Sequence, residues 1–210
     1  VIGLIVSGGQ IKDTNIIEKY YKKSDFCVAV DKGVEYLIDL NIKFDIAIGD
    51  FDSINKEYFK IIKNREYPME MLNIEKDNSD TEAAVDYLIE KKCSEIFMLS
   101  CTGSRLDHTI SNILLLKKIR DNNIEGYIID ENNKIRLSNS LNIVGNEFEN
   151  ISIIPLDMSG INVTLEGFYY KLDSENIEFG SSRCLSNYLI ESVGKVYINK
   201  GNALIIESRD

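Results

Sequence analysis

The residues able to do chemistry are mostly aspartates, and they stand where elements change. Asp50 and Asp52 lie one residue apart in Gly49-Asp50-Phe51-Asp52-Ser53. Two acids this close repel each other, and an oxygen-only pair with room for further ligands suits Mg²⁺. Asp77 and Asp80 follow in Lys76-Asp77-Asn78-Ser79-Asp80-Thr81-Glu82, and Asp107 in Thr102-Gly103-Ser104-Arg105-Leu106-Asp107-His108. A glycine-containing loop that opens a helix can cradle phosphate. Arg105 adds a planar, permanent cation for phosphate oxygens. Taken singly, each acid has a plainer reading: turn caps at Asp50 and Asp52, a capping box between Ser79 and Glu82, a dipole-favoured acid at Asp107. Taken together they point to Mg²⁺-dependent phosphoryl chemistry.

Other chemistries fit poorly. His108 is the single imidazole. It directly follows Asp107 on a helix, so the two side chains should diverge, and no Ser-His-acid triad is in view. No His/Cys cluster has zinc spacing. Ser7-Gly8-Gly9-Gln10 lacks the dinucleotide glycine spacing, although paired glycines can turn backbone amides toward an anion. The Asp-Phe-Asp sequence also suits an aspartyl phosphatase, but there the pair follows the first strand, whereas here it follows the third. A sugar-nucleotide transferase also uses spaced acids with a metal, and no sugar pocket is identifiable.

The elements that must position these groups are legible in part. Ile2–Val6, Phe26–Val30, Ile46–Ile48 and Ile96–Leu99 are apolar without alternation, as strands buried on both faces are. Met69–Ile74 is a weaker strand, and Ile124–Ile129 a sixth. Helices are expected near 16–21, through Leu37, over 55–62, behind Asp80, and over 106–119 with Ile110, Ile113, Leu114 and Leu116 as its apolar side. Asp31, Asp50 and the 100–105 loop then fall at carboxyl ends of strands, where open α/β sheets bind ligands. Past the polar turn Asp130-Glu131-Asn132-Asn133 the helical stripes stop. Short strands replace them over 134–137, 151–156, 161–165, 193–199 and 203–207, with 199–202 as a hairpin turn. The expected fold is therefore α/β: an open, mostly parallel sheet with flanking helices over residues 1–130, then an all-β sandwich over 131–210.

The chain has 210 residues and a net charge of -10, a balance that disfavours nucleic acid and anionic membranes as partners. No apolar run is long enough to span a bilayer, and the first residues read as a strand and not a signal peptide. Cys27, Cys93, Cys101 and Cys184 show no paired metal-ligand spacing and read as reduced packing residues of a cytoplasmic protein.

The ordered set Ala29-Val30-Asp31-Lys32-Gly33, Gly49-Asp50-Phe51-Asp52-Ser53, Lys76-Asp77-x-x-Asp80-Thr81-Glu82, Thr102-Gly103-Ser104-Arg105-Leu106-Asp107-His108, Gly167-Phe168-Tyr169-Tyr170-x-Leu172 and Ser186-Asn187 resembles the thiamine pyrophosphokinase family nearly end to end. The resemblance implies an N-terminal ATP-handling domain and a C-terminal β-sandwich that helps bind thiamine, in a homodimer holding the vitamin where subunits meet. It implies Mg²⁺-dependent transfer of pyrophosphate from ATP to the thiamine hydroxyl, giving thiamine diphosphate and AMP. Asp50, Asp52, Asp80 and Asp107 match the family's metal and catalytic acids, and Arg105 its catalytic cation. Asp77 matches a helper, Thr102, Gly103 and Arg105 a phosphate loop, Asp31 a nucleotide-side acid, and Ser186 and Asn187 the vitamin-binding pair. Lys32 and Ser104 each stand where the family has glycine. Ser104 would be strained if its φ were positive. With no Trp in the chain, any aromatic stacked on the vitamin is a Tyr or Phe. The alternatives are a Mg²⁺-dependent phosphatase or kinase acting on another small alcohol, or a non-catalytic nucleotide- or thiamine-binding protein.

Overall fold

The computed structural model describes residues 1–65, 67–71 and 78–210. Asp77, and residues 72–74 of the weaker expected strand, lie outside the described residues. The chain divides into two compact units between Glu131 and Asn132.

The first unit carries strands β1 (Ile2–Val6), β2 (Phe26–Val30), β3 (Ile46–Gly49), β4 (Met69–Met71), β5 (Glu95–Leu99) and β6 (Glu125–Ile129). Its helices are α1 (Asn15–Tyr21), α2 (Gly33–Asp39), α3 (Lys56–Asn64), α4 (Asp80–Glu90) and α5 (Leu106–Asp121). The strands are parallel and run in the order β4-β3-β2-β1-β5-β6. Leu4, Ile5 and Val6 of β1 are fully buried, as are Met98 and Leu99 of β5. Each such side chain contributes roughly 1.5–3 kcal/mol of burial, so the central strands form a rigid base for the loops above them. Val6 pairs with Ala29 and with Leu99, and Val30 with Ile48, so the loops after β1, β2, β3 and β5 leave the sheet at one edge.

Two helices pack differently from the sequence pattern. On α5, Ile110 and Leu114 are 56% and 55% exposed, and Asn112, Leu115, Leu116 and Ile119 form the buried face. The helix has two apolar stripes; the one with Leu115, Leu116 and Ile119 turns inward, and on that face the Asn112 amide donates to the Cys101 carbonyl at 2.8 Å. On α4, only half of the expected capping box forms. Ser79 accepts from the Glu82 N–H, while the Glu82 carboxylate pairs with Lys118 at 2.9 Å, linking α4 to α5.

The second unit holds two antiparallel sheets. One is β7 (Asn133–Leu137), β13 (Ala203–Ser208) and β9 (Asn150–Pro155). The other is ordered β11 (Leu172–Ile177), β10 (Ile161–Glu166), β12 (Val193–Lys200) and β8 (Leu141–Gly145). Ile151, Ile153 and Ile205 of the first sheet pack with Val163, Leu165 and Val196 of the second, giving the sandwich core. Residues 199–202 are not a hairpin: β12 and β13 belong to different sheets, and the turn carries the chain across the core. β8 and β11 were not expected: β11 (Leu-Asp-Ser-Glu-Asn-Ile) is largely polar, and β8 turns Asn142 inward while Leu141 and Ile143 face out.

Candidate active site

β1 and β5 are neighbours whose following strands lie on opposite sides of the sheet. Such a switch of winding direction opens a crevice at the carboxyl ends of the two strands. Here the crevice has a volume of about 430 Å³, lined by Ser7–Gln10 after β1, Asp31 and Lys32 after β2, Ser53, Thr81, and the 100–105 loop with His108, Thr109 and Asn112. The loops are tied across it. The Gly9 N–H donates to the Ser100 carbonyl at 2.8 Å, and a Cβ at Gly9 would lie 2.4 Å from two carbonyl oxygens, so only glycine fits there. Below them the Ser7 and Thr81 hydroxyls share a buried hydrogen bond of 3.1 Å.

Asp31, Asp50 and Asp80 meet beside this crevice, with one carboxylate oxygen of each within 4.8 Å of the others. Three different strand or helix ends supply them. Asp31 follows β2 with φ of 46°, Asp50 follows β3, and Asp80 opens α4. Phe51 and Ser100 also take positive φ, 58° and 55°. Left-handed non-glycine residues cost of order 1–3 kcal/mol each, and three at one sheet edge mark where the fold holds strain against a rigid core. Burial, then a hydrogen bond and the charge of Asp80, pushes the Asp31 carboxyl up to about 7. Mg²⁺ binds oxygen at about 2.1 Å, so ligand oxygens around one ion stand no more than about 4.2 Å apart. A small closure of the three carboxylates meets that limit, and their mutual repulsion favours a cation, so the residues fit the ion.

The expected acids divide. Asp50 and Asp80 join this cluster, as does Asp31, which the sequence pattern placed only on the nucleotide side. The signal was available, since Asp31 ends its strand much as Asp50 does. Asp52 is exposed and next to the cluster; its N–H donates to Asp50 Oδ1 at 3.0 Å, and the Asp50 charge raises its pKa. Asp107 stands apart from the three. Its carboxylate is held by Arg105 at 2.6 Å and 3.3 Å, and this hydrogen bonding lowers its pKa to about 2. A group so acidic is a poor proton acceptor near neutral pH. His108 Nε2 lies 4.0 Å from Asp107, closer than side chains expected to diverge, though beyond hydrogen-bond reach.

In the loop, the Thr102 hydroxyl donates to Asp130 at 2.9 Å, and the Gly103 N–H donates to Thr109 Oγ1 at 3.1 Å. Those two donors are therefore spent on tying the loop to Asp130 after β6 and to Thr109 on α5. Ser104 keeps a negative φ, so the residue that replaces a glycine there bears no left-handed strain; the strained position is Ser100.

In the second unit, Ser186 is exposed and its N–H donates to Ser152 Oγ at 3.0 Å. Asn187 is 4% exposed. Its Oδ1 accepts from the Tyr170 and Tyr188 N–H groups, and its Nδ2 donates to the Tyr170 carbonyl. The side chain thus fixes an exposed aromatic group. Tyr169 and Tyr188 stack with centroids 4.8 Å apart, and Tyr170 meets Tyr169 edge-on at 5.0 Å.

Two family models match the chain: the catalytic domain of thiamin pyrophosphokinase over residues 17–128, and the vitamin B1 binding domain of the same enzyme over 133–205. The thiamine pyrophosphokinase of Bacillus subtilis (strain 168) is 34% identical over 209 residues, with 98% of each chain covered. The crystal structure of the Bacillus subtilis enzyme superposes with a TM-score of 0.89 at 33% identity over the whole of both chains. That from Geobacillus thermodenitrificans gives 0.87 at 31% identity, covering 100% of this chain and 98% of the other.

Proposed function

The chain belongs to the thiamin pyrophosphokinase family, and from that premise we propose that it transfers pyrophosphate from ATP to thiamine, releasing AMP. The convergence of Asp31, Asp50 and Asp80 beside the switch-point crevice is the observation that carries this reading. The thiamine hydroxyl oxygen attacks the β-phosphorus in line. The bond from that phosphorus to the bridging oxygen breaks, and AMP leaves with the oxygen and its electron pair, while the hydroxyl proton passes to solvent or a nearby acceptor. Asp31, Asp50 and Asp80 would hold Mg²⁺, with Asp52 beside them. When bound, the ion supplies positive charge against the phosphate oxygens. Arg105, gripped by Asp107, keeps further N–H donors for those oxygens as charge shifts to the leaving group. Asp107 therefore acts through Arg105 in this reading, and not as a metal ligand.

The second unit takes the vitamin. The Tyr169, Tyr170 and Tyr188 rings offer faces for a planar cation such as the thiazolium, with Ser186 beside them and Asn187 holding the loop. The working form is a homodimer, a reading supported by the exposed apolar side chains of Leu106, Ile110 and Leu114. Among the described residues no helix is long and apolar enough to cross a membrane. All four cysteines are free and buried, which supports a cytoplasmic protein.

Incubation with ATP, Mg²⁺ and thiamine, followed by separation of nucleotides, tests the reaction. AMP with thiamine diphosphate is expected. ADP would mark a simple phosphate kinase, and inorganic phosphate alone a hydrolase. Loss of product in EDTA, restored by Mg²⁺, tests the ion.

A further inference from the structure

A crevice that accepts a polyanion beside three carboxylates needs cations of its own. Among the described residues lining it, the basic groups are Lys32, Arg105 and His108. Arg105 shares its guanidinium with Asp107. Lys118, the lysine that ties α4 to α5, is committed to Glu82 and Asp86.

Lys32 is different. It directly follows Asp31, is exposed, and its ammonium makes no hydrogen bond or ion pair among the described residues. The base of its side chain is pressed against the loop after β1: a Cβ at Gly8 would lie 2.9 Å from Lys32 Cβ. Only a glycine at position 8 leaves that space to the lysine.

We propose that Lys32 is a substrate-contacting residue whose ammonium binds the phosphate oxygens of the nucleotide, supplying the positive charge that Arg105 shares with Asp107. The inference rests on the nucleotide reading given above. A lysine acts here as a point charge on a flexible stem, so it follows phosphate oxygens without demanding a fixed geometry.

The test compares wild type with Lys32→Gln and Lys32→Arg, using turnover and calorimetric binding of α,β-methylene-ATP with Mg²⁺. Lys32→Gln should raise KM for MgATP and weaken analogue binding by about tenfold, while KM for thiamine stays unchanged and Lys32→Arg restores most of the loss. Added salt should weaken the wild type more than Lys32→Gln. If the wild type releases AMP and Lys32→Gln binds the analogue as the wild type does, this inference falls and the reaction stands. Equal rises in both KM values would also overturn it, since that pattern marks a general disturbance. If the wild type releases no AMP yet Lys32→Gln weakens the analogue, the reaction falls and the phosphate contact stands. No analogue binding by a folded wild type removes both.

Discussion

The Asp31 carboxylate occupies the space that a side chain on Gly49 would need: a Cβ there would lie 2.0 Å from Asp31 Oδ1. The two residues end adjacent strands, and the Asp31 N–H donates to the Ile48 carbonyl at 3.1 Å, so neither can back away without breaking the sheet edge. Gly49→Ala should therefore push the carboxylate out of the cluster. We expect a stability loss of about 1–3 kcal/mol and at least about a tenfold loss of turnover. The double variant Gly49→Ala/Asp31→Ala relieves the clash. It should regain part of the stability in thermal melts, since an alanine at φ of 156° stays strained, without regaining AMP release. Wild-type turnover in Gly49→Ala would show that Asp31's position does not matter.

Asp31 also links the site to pH. Its folded-state pKa of about 7 lies above the value of about 3.9 for an unfolded aspartate. A raised carboxyl binds its proton more tightly in the folded state, so its stabilising contribution is full below about pH 4 and is lost as pH rises through about 7. In EDTA, the melting temperature of the wild type should fall across that window relative to Asp31→Asn, which has nothing to titrate. Mg²⁺ should stabilise the wild type and leave Asp31→Asn nearly unmoved. Parallel pH profiles for the two proteins in EDTA would contradict the assignment.

How far the sequence carried the fold depended on whether local pattern and packing agreed. β1, β2, β3 and β5 are continuous apolar runs buried on both faces, and such runs are legible because no face has to be chosen. Helix α5 offers two apolar stripes, and tertiary packing of Leu115, Leu116 and Ile119, with Asn112 bonded to Cys101 on the same face, selects between them. The 199–202 turn looks like any hairpin, because local turn chemistry does not say which sheet the next strand joins. Asp50 and Asp80 were legible from spacing. The place of Asp31 among them depends on the left-handed backbone at its own position and on Gly49 across the strand pair. The partner of Asp107 stood two residues away in the sequence, but an i, i+2 pair at a helix start meets only if the first residue is outside the helix, as Arg105 is at the N-cap.

That Arg105–Asp107 pair gives a prediction about coupling. Both side chains are exposed, 69% and 64%, so their contact adds little to stability. Its value lies in orienting the guanidinium. Arg105→Ala should lower kcat by about a hundredfold. Asp107→Ala should lower it less, and the double variant should be no worse than Arg105→Ala alone. Arg105→Lys should recover little, because an ammonium lacks the planar fork. If the two losses simply add, Asp107 acts independently of Arg105, and a direct role for it on the metal would have to be restored.

The aromatic group of the second unit separates a residue that binds from one that positions. Tyr188 is 40% exposed and stacks on Tyr169, whereas Asn187 is buried with its amide fully used on the backbone of Tyr170 and Tyr188. Removing a ring that faces a cation costs roughly 1–2 kcal/mol of binding. Tyr188→Ala should accordingly raise KM for thiamine by about tenfold, with KM for MgATP and the melting temperature little changed. Tyr188→Phe should behave as the wild type, since the ring face is kept. Asn187→Ala leaves three backbone groups without their partner and should destabilise the protein by about 2–4 kcal/mol, seen in urea titrations as a lower midpoint at unchanged slope. If Tyr188→Ala and Tyr169→Ala both keep the wild-type KM for thiamine, these rings are not the surface on which the vitamin rests.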